Sequence, residues 1–194
     1  MKKKFKVTFL FDKSNLWFEP QLKKFNFKLN HKYIIKFSKN PENVKNQNIV
    51  FPISYTKILP ESFLSNNELV LIIHSSKLPK HKGFSPLQNQ ILKNKKKIYI
   101  SLIKAVNKVD EGPIFLQNSF KLNGTELYDE IRSIQGLQFL KIIKKFLNNY
   151  PKVKSRKQVG KGNFNKRRSI KNSKLDIKKS IKQQFNHLRI NDNN

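Results

Sequence analysis

The 194-residue chain is long enough for one domain with a short appendage, and its lack of cysteine excludes disulfides, thiolate nucleophiles and cysteine-based zinc sites. No apolar run approaches the ~18 residues of a membrane helix, and the four histidines include no His-x-x-x-His pair, so neither a membrane span nor a metal site is predicted. The formal net charge of +29 alone favours an anionic partner, but Lys, Asn, Ile and Phe are abundant along the whole chain, as an AT-rich coding sequence would give. Specific nucleic-acid binding is therefore not predicted from the charge.

The first half of the chain alternates predicted strands with short helices. Residues rich in Val, Ile, Thr and Phe predict strands over 6–11, 33–37 and 48–55, and a short helix is predicted over 16–25. The first strand explains the apolar start better than a signal peptide does, so we expect a cytoplasmic protein. Pro52 is a mild objection to the third strand and is tolerable at an edge or a bulge. Five apolar residues from Leu69 to Ile73 predict a central strand that ends on His74.

The second half predicts a helix capped by Ser85 with Pro86 in its first turn, then strands over 97–105 and 113–120. A long amphipathic helix is predicted over 125–149, with a capping box between Asn123 and Glu126, and Pro151 ends it. This order of elements predicts a three-layer α/β domain over residues 1–150 that binds ligands beyond the carboxyl ends of its strands. Residues 151–194 are predicted to form a basic linker and a weakly amphipathic helix near 177–189.

Two titratable residues follow predicted strands and are candidates for an acid/base pair. His74 ends one apolar run, and Asp110 lies just after another, in Asp-Glu-Gly-Pro. Position alone favours a structural, hydrogen-bonded histidine, and Asp-Glu-Gly-Pro is a common turn. The surrounding sequence motif decides between these readings.

The stretch from Leu69 to Gln117 resembles the folate-dependent formyltransferases, the family of methionyl-tRNA formyltransferase and the sugar-nucleotide N-formyltransferases. The hallmark of that family is Asn-x-His, then Ser-Leu-Leu-Pro-x-x-x-Gly, then Asp-x-Gly. This chain has Ile72-Ile73-His74, Ser76-Lys77-Leu78-Pro79 with Gly83, and Asp110-Glu111-Gly112. The resemblance implies a Rossmann-like formyltransferase fold with a mostly parallel sheet. It also implies N10-formyltetrahydrofolate as the formyl donor, without a metal.

The same resemblance implies roles for individual residues. His74 would be the acid/base, and Asp110 would stabilise its protonated form and fix its orientation. Tyr55 and Phe84 are implied to contact the cofactor. The alternatives are that Tyr55 packs on the core and that Phe84 only closes the sheet edge. Lys82, Arg167 and Arg168 are implied for substrate binding, since paired guanidinium groups suit a diphosphate. The residues implied for the cofactor are Tyr55, Ser76, Lys77, Leu78, Pro79, Phe84, Val106, Asn107, Lys108 and Val109.

Ile72 departs from the family pattern, because it stands where the asparagine that helps to hold the formyl oxyanion is expected. Isoleucine cannot donate a hydrogen bond, and loss of one such donor typically costs about a hundredfold in rate. Three accounts stay open: a substitute donor, His74 in both roles, or reduced activity. We favour a substitute donor or His74, because the loop motif and Asp110 are intact.

The basic tail carries a second resemblance, to the segment that follows the catalytic domain in sugar formyltransferases. Its residues are Gln158 to Phe164, Arg167-Arg168-Ser169 and Asn186-His187-Leu188-Arg189, with a solvated linker as the alternative interpretation. We expect residues 151–194 to be a C-terminal extension with a truncated accessory subdomain. This tail favours a nucleotide-linked amino sugar, as used in polysaccharide biosynthesis, over methionyl-tRNA or another amine. The rival class is a catalytically weakened basic binding protein, and an open sheet edge allows a homodimer.

Overall fold

The computed structural model describes residues 4–27 and 32–191, and its centre is a sheet in two halves. In the first half the strands are parallel, in the order β2-β1-β3, and in the second they are antiparallel, in the order β4-β6-β7. The strands are β1 (Phe5–Phe11), β2 (Tyr33–Ser38), β3 (Ile49–Ile53), β4 (Leu71–His74), β5 (Lys82–Gly83), β6 (Lys97–Lys104), β7 (Ile114–Lys121) and β8 (Phe164–Asn165). The predicted α/β class is confirmed, and within the central sheet the parallel pairing lies in the N-terminal half.

The two halves of the sheet meet through a short parallel contact between β3 and β4. The Val50 amide donates to the Leu69 carbonyl at 2.8 Å, and Val50 forms a bridge with Val70. Amides two residues apart point to the same side of a strand, so the nitrogen of Pro52 points towards β4, as the Val50 amide does. The pairing of β3 with β4 does not extend beyond Val50 to Pro52. The missing N–H of Pro52 therefore costs the sheet no ladder bond.

Helices cover both faces of the sheet, as a three-layer domain requires. They are α1 (Glu19–Lys24), α2 (Glu61–Ser65), α3 (Pro86–Leu92), α4 (Tyr128–Asn149) and α5 (Ile181–Arg189), with 3-10 turns at Pro41–Asn43 and Ile170–Ser173. The larger core packs β1, β3, β6 and α4 together, with Phe9, Phe51 and Phe146 fully buried. On the opposite face a smaller core joins Leu10 and Val50 to α2.

Three predicted local features differ in the structure. The helix predicted over 16–25 begins only at Glu19. Ser85 precedes α3 in the left-handed region (φ +48°) and its side chain caps nothing, so the predicted cap is wrong. The capping box of Asn123 and Glu126 is also wrong as a helix start: Glu126 accepts the amides of Asn123 and Gly124 at 2.5 and 3.0 Å and thereby closes the loop ahead of α4.

Two parts of the basic tail, β8 and α5, contact the domain, whereas a solvated linker was the alternative interpretation. β8 pairs with β5 in parallel, and the Arg189 guanidinium donates to the Glu126 carboxylate at 2.6 Å with both side chains buried. The side-chain amide of Asn186 on α5 bonds that of Asn94 at 2.7 Å. The division of the chain at residue 150 stays a prediction. None of the helices within residues 4–27 and 32–191 is long and apolar enough to cross a membrane.

Candidate active site

The candidate site lies at the sheet edge where β1, β3 and β4 end. Parallel strands bring their carboxyl ends to the same edge, so Asp12, Tyr55 and His74 follow neighbouring strands there. Asp12 is 4% exposed, and its carboxylate accepts bonds from Ser14 and Thr56. Although burial opposes ionisation, these hydrogen bonds hold the pKa of Asp12 well below its usual range. The carboxylate thus fixes the turns after β1 and β3.

His74 and Asp110 come together across the sheet edge. The His74 Nδ1 lies 3.4 Å from the Asp110 Oδ2, and both side chains are more than nine-tenths buried. The His74 Nε2 donates to the His81 carbonyl at 2.7 Å. Both ring nitrogens thus face oxygen atoms that accept hydrogen bonds. The structure brings the predicted pair together, and its catalytic role stays a prediction.

The loop over His74 is held by backbone contacts that require glycine. The Gly83 amide donates to the Asp110 Oδ2 at 2.8 Å, which places the loop and the carboxylate in direct contact. Gly83 has a φ of +82°, and a Cβ there would lie 2.6 Å from the Asn165 carbonyl oxygen. The glycine of the loop motif therefore serves the close approach of β5 and β8.

Residues 156–165, here called the strap, cross the site and were missed by the sequence analysis as site residues. The Gln158 Nε2 donates to the carbonyls of Asp110 and Gly112, at 2.7 and 2.9 Å. The backbone of Arg156 bonds that of Ile114 in both directions, at 2.8 and 2.9 Å. Asp110 itself has a φ of +55°. The strap thus holds a turn that is strained for a residue with a side chain.

The other end of the strap holds the loop that contacts His74. The His81 amide donates to the Asn163 Oδ1 at 2.9 Å, and the amides of Lys82 and Phe84 donate to strap carbonyls at 2.9 and 3.1 Å. Burial lowers the pKa of His81 and opposes the bond with Asn165, which raises it, while nearby positive groups add smaller lowering contributions. In the sequence, the only sign that the strap holds this loop is that Asn163 and Asn165 lie close to Gly160 and Gly162.

A cavity beside Asp110 is lined by residues that the motif resemblance implies for the cofactor. Its volume is about 500 Å³, and its lining consists of Val106, Asn107, Lys108 and Glu111. The lining offers one apolar side chain, one amide and one charge of each sign, and the cavity opens widely to solvent. Val109, in the same loop, is 42% exposed.

The residues of the Ser-Lys-Leu-Pro turn have different environments. Ser76 is fully buried and its Oγ has no hydrogen-bond partner, while its carbonyl accepts from Ser101 at 2.6 Å. Leu78 is buried against Ile103 and Ile114. Lys77 is exposed, with its Nζ 5.2 Å from the centroid of the Tyr99 ring, and Pro79 is partly buried. Cofactor contact by these four residues stays a prediction.

The predicted substrate-binding residues surround the same loop. The Lys82 Nζ forms an ion pair with Glu111 at 3.0 Å, at the rim of the cavity. The Arg167 guanidinium lies 5.6 Å from the centroid of the Phe84 ring, and that ring is 39% exposed. Arg168 donates to the Asn172 carbonyl at 2.7 Å, and burial lowers its pKa. Arg167 is thus next to the loop, whereas Arg168 is engaged within the tail.

Ile72 and Tyr55 belong to apolar surroundings. Ile72 packs against the small core of α2 and against the cluster of Leu78, Ile103 and Ile114. Tyr55 packs on the former, and burial together with the Asp12 charge raises its pKa. The position of the expected asparagine is therefore filled by packed hydrocarbon.

Comparison with known proteins identifies the family. The family model described as formyl transferase matches residues 6–133. The chain belongs to the formyl transferase family. A methionyl-tRNA formyltransferase from Thermosipho melanesiensis is 30% identical over 151 residues, which cover 78% of this chain and 49% of that protein. The chain thus spans about half the length of this formyltransferase relative.

Solved formyltransferases share the fold. A methionyl-tRNA formyltransferase from Clostridium thermocellum superposes with a TM-score of 0.82 at 22% identity, covering 96% of this chain and 82% of the other. The N-formyltransferase from Helicobacter canadensis, solved with folinic acid and dTDP-3-aminofucose, gives a TM-score of 0.61 at 21% identity, covering 96% and 80%. At these identities the likeness establishes the formyltransferase fold, as predicted.

Proposed function

We propose that this chain transfers a formyl group from N10-formyltetrahydrofolate to a primary amine. The observation that carries the proposal is the buried His74–Asp110 pair, 3.4 Å apart, with Asp110 in the same loop as the residues that line a widely open cavity of about 500 Å³. A histidine oriented by a carboxylate beside a ligand cavity is the arrangement that general acid–base chemistry uses. Membership of the formyl transferase family supports the reaction class.

The chemistry requires a proton to move as one C–N bond replaces another. The folate supplies the formyl carbon: a bond forms from this carbon to the acceptor nitrogen, the bond to N10 breaks, and one proton passes from the acceptor nitrogen to N10. His74 serves as the proton carrier, and Asp110 orients the ring through Nδ1. The His74 Nε2, now bonded to the His81 carbonyl, becomes available when a ligand displaces that carbonyl. Val106, Asn107 and Lys108 hold the folate.

The formyl oxygen, which gains negative charge in this reaction, needs a donor other than residue 72. Ile72 has no N–H or O–H to offer, and its neighbours Leu78, Ile103 and Ile114 are equally apolar. Once the His74 Nε2 has taken up the amine proton, its N–H donates to this oxygen before the proton passes to N10. We therefore assign both roles to His74.

For the acceptor we propose a nucleotide-linked amino sugar, in polysaccharide biosynthesis in the cytoplasm. Arg167 beside Phe84 and the packed strap give the loop a basic rim suited to a diphosphate. The nucleotide-sugar complex of the Helicobacter canadensis relative, which shares the fold, supports this choice. Methionyl-tRNA is the second candidate, favoured by the 30% identity to the Thermosipho melanesiensis enzyme. A homodimer stays a prediction.

The test is a side-by-side assay of the two acceptors. Purified protein receives N10-formyltetrahydrofolate and either a 4-amino-sugar nucleotide or methionyl-tRNA, and mass spectrometry detects the formylated amine. We expect the amino-sugar nucleotide to be formylated faster. His74→Ala should lower kcat by about 100- to 10,000-fold, the usual contribution of general acid–base catalysis.

His187→Ala is the matched control, because His187 lies on α5 and is not among the site residues. It should retain wild-type kcat. Faster formylation of methionyl-tRNA would reverse the choice of acceptor. Wild-type protein that formylates no amine but binds RNA with a steep salt dependence would instead support a basic binding protein.

A further inference from the structure

Arg132 lies in an aromatic setting that the proposed chemistry does not use. Its guanidinium carbon is 4.8 Å from the centroid of the Trp17 ring and 5.0 Å from that of the Tyr128 ring. Trp17 is fixed by an N–H bond from its indole to the Ser54 Oγ at 2.9 Å, and Tyr128 begins α4. All three side chains are partly exposed. The rings stabilise the cation but offer no acceptor in the plane of its N–H groups.

The charge of Arg132 has no acidic partner among the residues that the structure describes. The Arg132 Nη1 donates to the neutral Gln135 Oε1 at 3.0 Å, and Nε is buried without any partner. Arg189, by comparison, is paired with Glu126. The Nε–Nη2 edge makes no hydrogen bond within the described residues, and once uncovered its two parallel donors have the geometry that binds two oxygens of one anion.

This cation lies near the edge of the sheet at which His74 ends β4. The Gln135 Nε2 donates to the Ser75 Oγ at 2.8 Å, and Ser75 follows His74 directly. Trp17 and Ser54, beside Arg132, follow β1 and β3 at the same edge. The cavity proposed for the folate is lined instead by Val106, Asn107, Lys108 and Glu111. A ligand group at Arg132 would therefore belong to the acceptor.

We propose that Arg132, together with the Trp17 and Tyr128 rings, binds a phosphate group of the acceptor. Two phosphate oxygens accept from the Nε–Nη2 edge after the partly exposed Tyr128 ring turns aside, while the Gln135 bond keeps the guanidinium in place. Assignment of this phosphate to the acceptor rests on the proposed function. Phosphate binding itself does not, since it requires neither folate nor turnover.

The test uses the fluorescence of Trp17, the single tryptophan of the chain. Wild-type protein is titrated, without folate, with UDP, with uridine, with inorganic phosphate and with a single-stranded RNA tetranucleotide. We expect UDP to change the emission and uridine to leave it unchanged, because the site recognises phosphate. Arg132→Gln should weaken UDP binding by about tenfold or more, the loss expected for a charged hydrogen bond.

Lys144→Gln is the matched control, because Lys144 lies on the same helix, and its Nζ is 5.9 Å from the centroid of an aromatic ring, that of Phe25, which is not among the site residues. Equal weakening by both variants would overturn the site and leave a non-specific charge effect. An equal response to uridine, or no response to any phosphate, would overturn it as well. If Arg132→Gln does not fold, Arg132→Lys replaces it in the test. This variant keeps the charge but not the two parallel donors, and we expect it to bind UDP with intermediate affinity. Tighter Arg132-dependent binding of RNA than of UDP would assign the phosphate to a polynucleotide acceptor.

Since no formyl transfer is measured, the two proposals fail separately. An inactive protein with Arg132-dependent UDP binding retains the phosphate site and loses the proposed reaction. An active protein whose UDP affinity is unaffected by Arg132→Gln retains the reaction and loses this site.

Discussion

Ile72 interrupts a polar motif with an apolar side chain that fits its surroundings. It packs between the core of α2 and the cluster of Leu78, Ile103 and Ile114. We predict that Ile72→Asn destabilises the protein by roughly 1–3 kcal/mol, because a carboxamide there loses apolar contacts and its hydrogen bonds to water. Urea unfolding measures this change, and Ile72→Val, which keeps the site apolar, should cost less. An unchanged midpoint for Ile72→Asn would mean that the position already holds water or a polar partner.

The partly buried side chain of His81 makes the stability of the folded protein depend on pH. Burial first, and then the charges of Lys93, His74 and Lys80, lower its pKa below the usual 6.5. A histidine with a lowered pKa stays neutral in the folded protein while the unfolded chain binds a proton, so stability falls as the pH drops through and below 6.5. We predict that His81→Gln, which cannot titrate, loses less stability than wild type between pH ~7 and ~5.5. Urea unfolding at the two pH values measures the loss of stability in each protein. An equal loss in wild type and His81→Gln would contradict this prediction.

Among the elements, the strap has the most direct connection to Asp110. The Gln158 Nε2 bonds the carbonyls of Asp110 and Gly112 and thereby supports a turn with positive φ. We predict that Gln158→Leu lowers kcat by about tenfold, the rate equivalent of about 1.4 kcal/mol, because both hydrogen bonds of the Gln158 Nε2 are lost, with little change in the KM of the acceptor. Gln158 acts through Asp110, so it is a positioning residue.

NMR signals of the His74 ring distinguish a Gln158 that positions Asp110 from a Gln158 that only stabilises the fold. In Gln158→Leu the His74 ring signals in NMR should move in the direction they move in Asp110→Asn, because both changes loosen the contact at Nδ1. Gln138→Leu, on α4, serves as the control and should leave these signals in place. If Gln158→Leu lowers the melting temperature but neither moves the His74 signals nor lowers kcat, the strap is only structural.

The same elements show which features a sequence can predict. The runs at 6–11 and 69–73 and the stripe of α4 were predicted because apolar periodicity records burial directly. His74 and Asp110 were found through their motif, whose spacing is local. β5 and β8 are two residues each and pair across some eighty positions, so no periodicity marks them. Gln158 bonds backbone carbonyls, and because every residue has one, the sequence does not identify these partners. Glu126 fits the spacing of a capping box, but its carboxylate closes the loop ahead of α4 instead.

For the whole molecule, the surplus of positive charge dominates. With 41 Lys and Arg and 12 Asp and Glu, most basic side chains can have no acidic partner. Repulsion among like charges destabilises the compact state, and salt screens it, with a Debye length of about 10 Å at 0.1 M. We therefore predict that the melting temperature rises as NaCl increases from about 0.02 to 0.3 M. KCl at equal ionic strength should give the same curve, because screening does not depend on the cation. A melting temperature that falls with salt would mean that the ion pairs of Glu19, Glu111 and Glu126 outweigh the repulsion.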